Sequence, residues 1–119
     1  MAIVDKLTGE FLQALKEVEN ILLMMQFERD SFIEKGFAYF VKYKKGDCIV
    51  EFLFGPAEYQ VEMIIYTSNG KFAFKDLLQI PVINEWVNSN RYKQRNGRNV
   101  KDELFWFIEL LKYSLPIVE

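Results

Sequence analysis

The chain reads as one α+β domain: an N-terminal helix, a four-stranded antiparallel meander, and two C-terminal helices packed on the sheet. Three observations predict this. Apolar residues near the start recur at steps of three and four, from Phe37 the period drops to two, and after Pro81 helical spacing returns. The six Gly and three Pro are scattered, so neither a linker nor a low-complexity segment divides the 119 residues.

Val4, Leu7, Phe11, Ala14, Val18, Ile21 and Met25 form the first stripe, and Leu15 and Leu22 widen it into a face suited to a core. Lys6, Glu10, Gln13, Glu17 and Asn20 supply its wet side, giving a helix from about Asp5 or Thr8 to about Gln26. Too few heptads are present for a coiled-coil seam to compete with this reading. Phe37, Tyr39, Val41 and Tyr43 begin the strand pattern, and KKGD at 44–47 turns the chain. Cys48, Val50, Phe52 and Phe54 continue it until Gly55 and Pro56 interrupt. Tyr59, Val61, Met63 and Ile65 make a third strand, Asn69-Gly70 suits a type I′ hairpin turn, and Phe72 and Phe74 make a short fourth. Asp76 caps a turn through Leu77 and Leu78. Pro81 opens a helix expected to end near Ser89, because its missing N–H is not needed at a first helical position. Asn99 caps the last helix, Asp102 and Glu103 occupy its first turn, and Pro116 limits it near Leu115.

Composition excludes several classes. Half the residues are hydrophobic and 16% are aromatic, which is incompatible with intrinsic disorder. No apolar run approaches the roughly 20 residues of a membrane-spanning helix, so no membrane is expected as a partner. No secretory leader is expected after Met1, and one thiol, Cys48, suits a reducing, cytoplasmic setting. With no His, the commonest general base and transition-metal ligand is missing. No nucleophile motif, phosphate loop or metal spacing is present, so neither catalysis nor a cofactor is expected. Cys48 sits among apolar strand residues and reads as packing.

Four features invite a functional reading. Arg91, Lys93, Arg95 and Arg98 crowd the segment RYKQRNGRN, with Tyr92 among them. The pattern resembles a nucleic-acid patch, but the net charge is −2 and four cations neutralise few phosphates. A solvated loop is the preferred reading, ahead of a contact to an acidic partner or a nucleic acid. Glu51 and Glu62 alternate out of the apolar set; a solvated sheet face explains them better than an acid/base pair. Residues 1–34 are acid-rich, with seven acids against three bases. In the last helix, Leu104, Phe107, Ile108, Leu111 and Leu115 share one face, while Trp106, Leu110 and Tyr113 share a second. That second face requires another helix of the chain or, failing that, a second copy.

The segments FLFGPAEYQVEMIIYTSNGKF, DLLQIPVINEW and ELFWFIELLKYSLP, within roughly residues 37–116, resemble those of small immunity and antitoxin proteins of bacterial polymorphic toxin systems. The resemblance lies in size, aromatic strands and a terminal amphipathic helix, and it carries over no binding residue. It implies a cytoplasmic, non-enzymatic protein that binds one cognate toxin domain and blocks it. Beside it, the residues suggest an acidic face of Glu10, Glu17, Glu51, Glu58 and Glu62 with Trp86 and Tyr92 as aromatic anchors. The runner-up is a homodimeric regulatory or scaffold module using Trp106, Leu110 and Tyr113; an enzyme with an unusual carboxylate pair stands third.

Overall fold

A computed structural model describes the backbone of residues 2–36, 38–55, 61–97 and 99–119, and their side chains apart from those of 2–7 and 91–97. The elements are α1 (Ala2–Met24), β1 (Glu28–Lys35), β2 (Ala38–Lys45), β3 (Cys48–Phe54), β4 (Val61–Thr67), β5 (Gly70–Phe72), α2 (Phe74–Leu77), α3 (Pro81–Gly97) and α4 (Val100–Val118). The architecture is the expected α+β domain, with an N-terminal helix, an antiparallel sheet and C-terminal helices. The sheet has five strands rather than four, in the order β1-β2-β3-β4-β5. The added strand is β1, ERDSFIEK, whose side chains are almost all exposed. An edge strand with little to bury has no apolar alternation to display, and a bulge between Arg29 and Ser31 breaks its period further.

Helices cover one face of this sheet. Tyr39, Val41 and Tyr43 of β2, Cys48, Val50, Phe52 and Phe54 of β3, and Val61, Met63 and Ile65 of β4 all point into the core. Phe11, Ala14, Leu15, Val18 and Leu22 of α1 and Leu104, Ile108, Leu111 and Leu115 of α4 close over them. The Phe11 ring stacks on Phe54 with centroids 4.8 Å apart. Cys48 is buried packing, as expected.

Local chemistry explains the boundaries. Helix α1 ends in a Schellman motif: the Phe27 N–H bonds the Leu22 carbonyl at 2.8 Å and the Gln26 N–H bonds that of Leu23 at 2.9 Å. Gln26 takes the left-handed conformation, φ 71°, that this motif requires, and Phe27 and Leu22 are both fully buried beside it. Asn99 caps α4 as expected, its Oδ1 accepting from the Asp102 N–H at 2.7 Å.

Several boundaries differ from expectation: the last strand stops at Phe72, and Phe74, expected to extend it, opens α2. Helix α3 does not stop at Ser89 but continues to Gly97, so RYKQRNG is not a loop; Arg, Tyr, Lys and Gln are all acceptable in a helix, and no helix breaker precedes the glycine at its end. Helix α4 passes through Pro116 to Val118. A proline two residues from the end removes only one late hydrogen bond, and the Val118 carbonyl is captured by Thr67 Oγ1 at 3.0 Å and Asn69 Nδ2 at 3.2 Å. The β4–β5 turn is centred on Ser68-Asn69, because Thr67 pairs with Gly70. Gly70 alone in that turn has positive φ, 139°, so it is not the type I′ turn expected at Asn69-Gly70.

A non-glycine residue in the left-handed region carries roughly 1 kcal/mol of strain. Gln26→Gly should therefore raise stability by about 0.5–1 kcal/mol, seen as a higher denaturation midpoint with unchanged slope. Phe11→Ala, which empties a fully buried site, should cost about 3–5 kcal/mol in the same assay.

Candidate protein-binding face

The strand register arranges the uncovered face of the sheet in rows. Ile33, Phe40, Leu53 and Glu62 lie side by side across β1 to β4, with Ser31, Lys42, Glu51 and Ile64 in the next row. Beyond them run Glu28, Lys44, Ile49, Tyr66 and Lys71. Alternation alone places them there, since neighbours in each strand point into the core. Phe40, Leu53, Ile49 and Ile64 are half-buried and, among the described residues, stand outside the cluster that the helices cover, and Ile33 is 52% exposed. A run of apolar side chains that the fold leaves in contact with water is the feature a binding surface needs.

A polar network holds this face in shape. The Tyr66 hydroxyl donates to Glu51 Oε1 at 3.1 Å. The ammonium groups of Lys42 and Lys71 lie 6.0 and 5.8 Å from the Tyr66 ring centre, as cation–π contacts. Glu51 is only 8% exposed, opposite Lys42 on one side and Ile64 on the other. Its carboxylate holds a phenol in place and lies in the sheet beside aliphatic groups. Burial, and then the bond to Glu51, push the Tyr66 phenol above its ordinary value.

The expected acidic face is not assembled. Glu51 and Glu62 share the open face of the sheet, whereas Glu10 and Glu17 lie in the helical layer beside a shallow groove with Asn99 and Lys101. Glu17 is paired with Lys101 at 3.4 Å, tying α1 to α4. Glu58 and the side chain of Tyr92 lie outside the described residues. The open face instead mixes signs, with Lys42, Lys44 and Lys71 against Glu28, Glu51 and Glu62.

The aromatic expectations also change. Trp86 is not a free anchor: it stacks on Tyr113 at 5.4 Å and lies 5.9 Å from Trp106. Trp106 is 6% exposed and Leu110 fully buried, and the Trp106 indole N–H donates to the Asn90 carbonyl at 3.1 Å. The second face of α4 is thus filled by α3 of the same chain, as the first of the two expected readings had it, and is not left to a second copy. Sequence reasoning missed the row Ile33–Phe40–Leu53. Phe40 and Leu53 were visible as large apolar residues out of phase with the core set, which is the signal of a sheet with a second apolar face.

On the other side, a partly buried cluster secures α1 over the sheet edge. The Tyr43 hydroxyl donates to Glu19 Oε2 at 2.7 Å, and the Arg29 guanidinium pairs with the same carboxylate. Burial, reinforced by the Glu19 bond, drives the Tyr43 phenol far above its ordinary value. Burial likewise raises the Cys48 thiol. Among the described residues no group of three or more His, Cys, Asp or Glu is placed to hold a metal ion, and no helix is long and apolar enough to cross a membrane. No family model, curated protein or solved structure matches the chain.

The raised acids set a pH dependence. The fold holds Tyr43, Tyr66 and Cys48 in their protonated forms, so their contribution is intact below the ordinary values of 9.0 for the thiol and 10.0 for the phenols. Above those values the unfolded chain releases protons that the folded chain keeps, and stability falls as pH rises. The denaturation midpoint should decline beyond about pH 9, and Tyr43→Phe should flatten that decline while lowering stability at neutral pH by about 1–3 kcal/mol. The Cys48 thiol should react with a disulfide reagent only as fast as the protein unfolds.

Proposed function

We propose that this chain is a protein-binding module and not an enzyme, and that it acts as an immunity-type inhibitor of a bacterial toxin domain. What carries the binding reading is the open sheet face: an uncovered apolar row, Ile33–Phe40–Leu53, bordered by charges of both signs and stiffened by the Glu51–Tyr66 bond. A small interface commonly has this form, an apolar centre inside a polar rim. The missing His and the use of Glu51 as a structural acceptor favour binding over turnover. The toxin assignment rests on the resemblance of the aromatic strands and terminal helix to immunity proteins, and a cytoplasmic site of action goes with it. The mixed charge of the face favours a contact centred on apolar groups over mimicry of a phosphate backbone. The Trp106 face is closed by α3 and does not support the homodimeric scaffold reading.

The test is coexpression with a toxin domain encoded beside this chain. The pair should co-purify at fixed stoichiometry and the cells should survive. Phe40→Ala and Leu53→Ala should each weaken the complex about tenfold or more, mainly through faster dissociation, with the circular dichroism spectrum retained. Glu10→Gln, in the helical layer, should change nothing. Neither binding nor protection, or a complex indifferent to both open-face variants, would remove this assignment.

A further inference from the structure

Strand β1 lies at the end of the strand order, so within the described residues its outer edge has no neighbour. It spans eight residues, Glu28 to Lys35, and such an edge is a template for another strand. Phe32 and Ile33 on it are 39% and 52% exposed. The other edge, β5, has only three residues.

The sequence of β1 is complementary to itself. Residues paired across antiparallel strands must point to the same face of the sheet. The register against β2 shows which do: Glu28, Ser31, Ile33 and Lys35 face the open side, and Arg29, Phe32 and Glu34 face the helical side, with Asp30 set aside by the bulge. Two copies of β1 related by a two-fold axis at Phe32 satisfy the rule at every step. Glu28 then meets Lys35 of the other copy, Arg29 meets Glu34, Ser31 meets Ile33, and Phe32 meets Phe32. Four of the five charges on the strand find an opposite charge, Asp30 being the one set aside at the bulge, and each pairing occurs twice. Sliding either strand by two residues destroys this: Phe32 then faces Glu34 or Arg29, and the end charges lose their partners.

We propose that β1 pairs antiparallel with β1 of a second copy of this chain, joining two five-stranded sheets into one. Charged residues and a bulge at an edge are devices that deter pairing with arbitrary strands. Here the same charges favour one partner, the chain's own copy, because opposite charges meet directly in this register and lose their partners in the shifted ones. The side chains are placed for it. Glu28 and Lys35 are exposed and, among the described residues, neither forms an ion pair within the chain. The Arg29 side chain remains 44% exposed while bound to Glu19, leaving donors for a second carboxylate. The Phe32 ring is supported by Tyr39 at 5.6 Å and by the Arg29 guanidinium at 5.3 Å, so a stiff ring stands at the two-fold axis. This pairing is independent of the inhibitor reading, and it sets two open faces side by side.

The test uses the full chain in sedimentation velocity at low salt, over a concentration series. Wild type should show a monomer–dimer equilibrium. Glu28→Lys sets two ammonium groups against each other at the Lys35 position of the partner strand, and Lys35→Glu sets two acids together, so each alone should weaken dimerisation about fivefold or more. An equimolar mixture of the two variants should associate again, as should the double variant. Register is read by cross-linking. Phe32→Cys should form an intermolecular disulfide, because directly opposite residues lie about 4.5–5.5 Å apart at Cα, whereas Ile33→Cys should not, since it faces Ser31. A wild-type chain that stays monomeric throughout, a dimer unmoved by either reversal, or failure of the mixture to recover would overturn the proposal.

Discussion

The strand order of the sheet is its chain order, and the position of every helix depends on that constraint. Each strand is followed by its own neighbour, so no crossover helix is carried to the far side. The helices before and after the meander both land on one face, where α1 and α4 also pack on each other. That face carries the aromatic and aliphatic core, from Phe11 against Phe54 to Met63 and Ile65. Helix α4 therefore needs two apolar sides, one for the sheet and α1, the other for α3 and its Trp86. The basic end of α3 is the far end of a helix whose beginning is needed to close the Trp106 face.

Polar contacts then fix what the core alone leaves free to slide. Glu19 receives both the Tyr43 hydroxyl and the Arg29 guanidinium, so a single carboxylate joins α1, β1 and β2. A half-buried acid of this kind is tolerable because each of its partners is also held, Tyr43 by the sheet and Arg29 by the ring of Phe32. At the opposite corner Thr67 and Asn69 hold the carbonyl of Val118 at the end of α4. These contacts join residues far apart in the chain, which is why periodicity could not reveal them.

That difference marks what was legible in the sequence. The α1 stripe, strands β2 to β4, the Asn99 cap and the burial of Cys48 follow from residue-by-residue chemistry, and all were readable. What the sequence hid depends on a remote partner or on the absence of one. Strand β1 shows no alternation because its faces have little to bury. Helix α4 survives Pro116 because a turn from the sheet receives its end. The acids Glu10, Glu17, Glu51 and Glu62 read as one face because their one-dimensional spacing does not say that a sheet separates them. Trp86 looked available because an aromatic among polar residues reads as exposed until its stacking partner, Tyr113, is known.

The open face and the β1 edge are therefore linked by a common cause. A one-sided sheet must leave its second face to water, and a meander must leave its first strand without an outer neighbour. Evolution of such a surface toward solubility alone would favour polar residues at both places. This chain instead has Ile33, Phe40 and Leu53 in one row of the open face and Phe32 on the edge, with charged residues in the neighbouring positions. Apolar groups supply the free energy of association when buried, while the surrounding charges discriminate between registers and partners. Ile33 belongs to both sites, since it ends the apolar row and sits on the edge strand one residue from the Phe32 axis. Pairing of two edges would set each Ile33–Phe40–Leu53 row against the Ser31–Lys42–Glu51 row of the other copy, so that two offset apolar rows, each continued by polar groups, lie on one continuous open face.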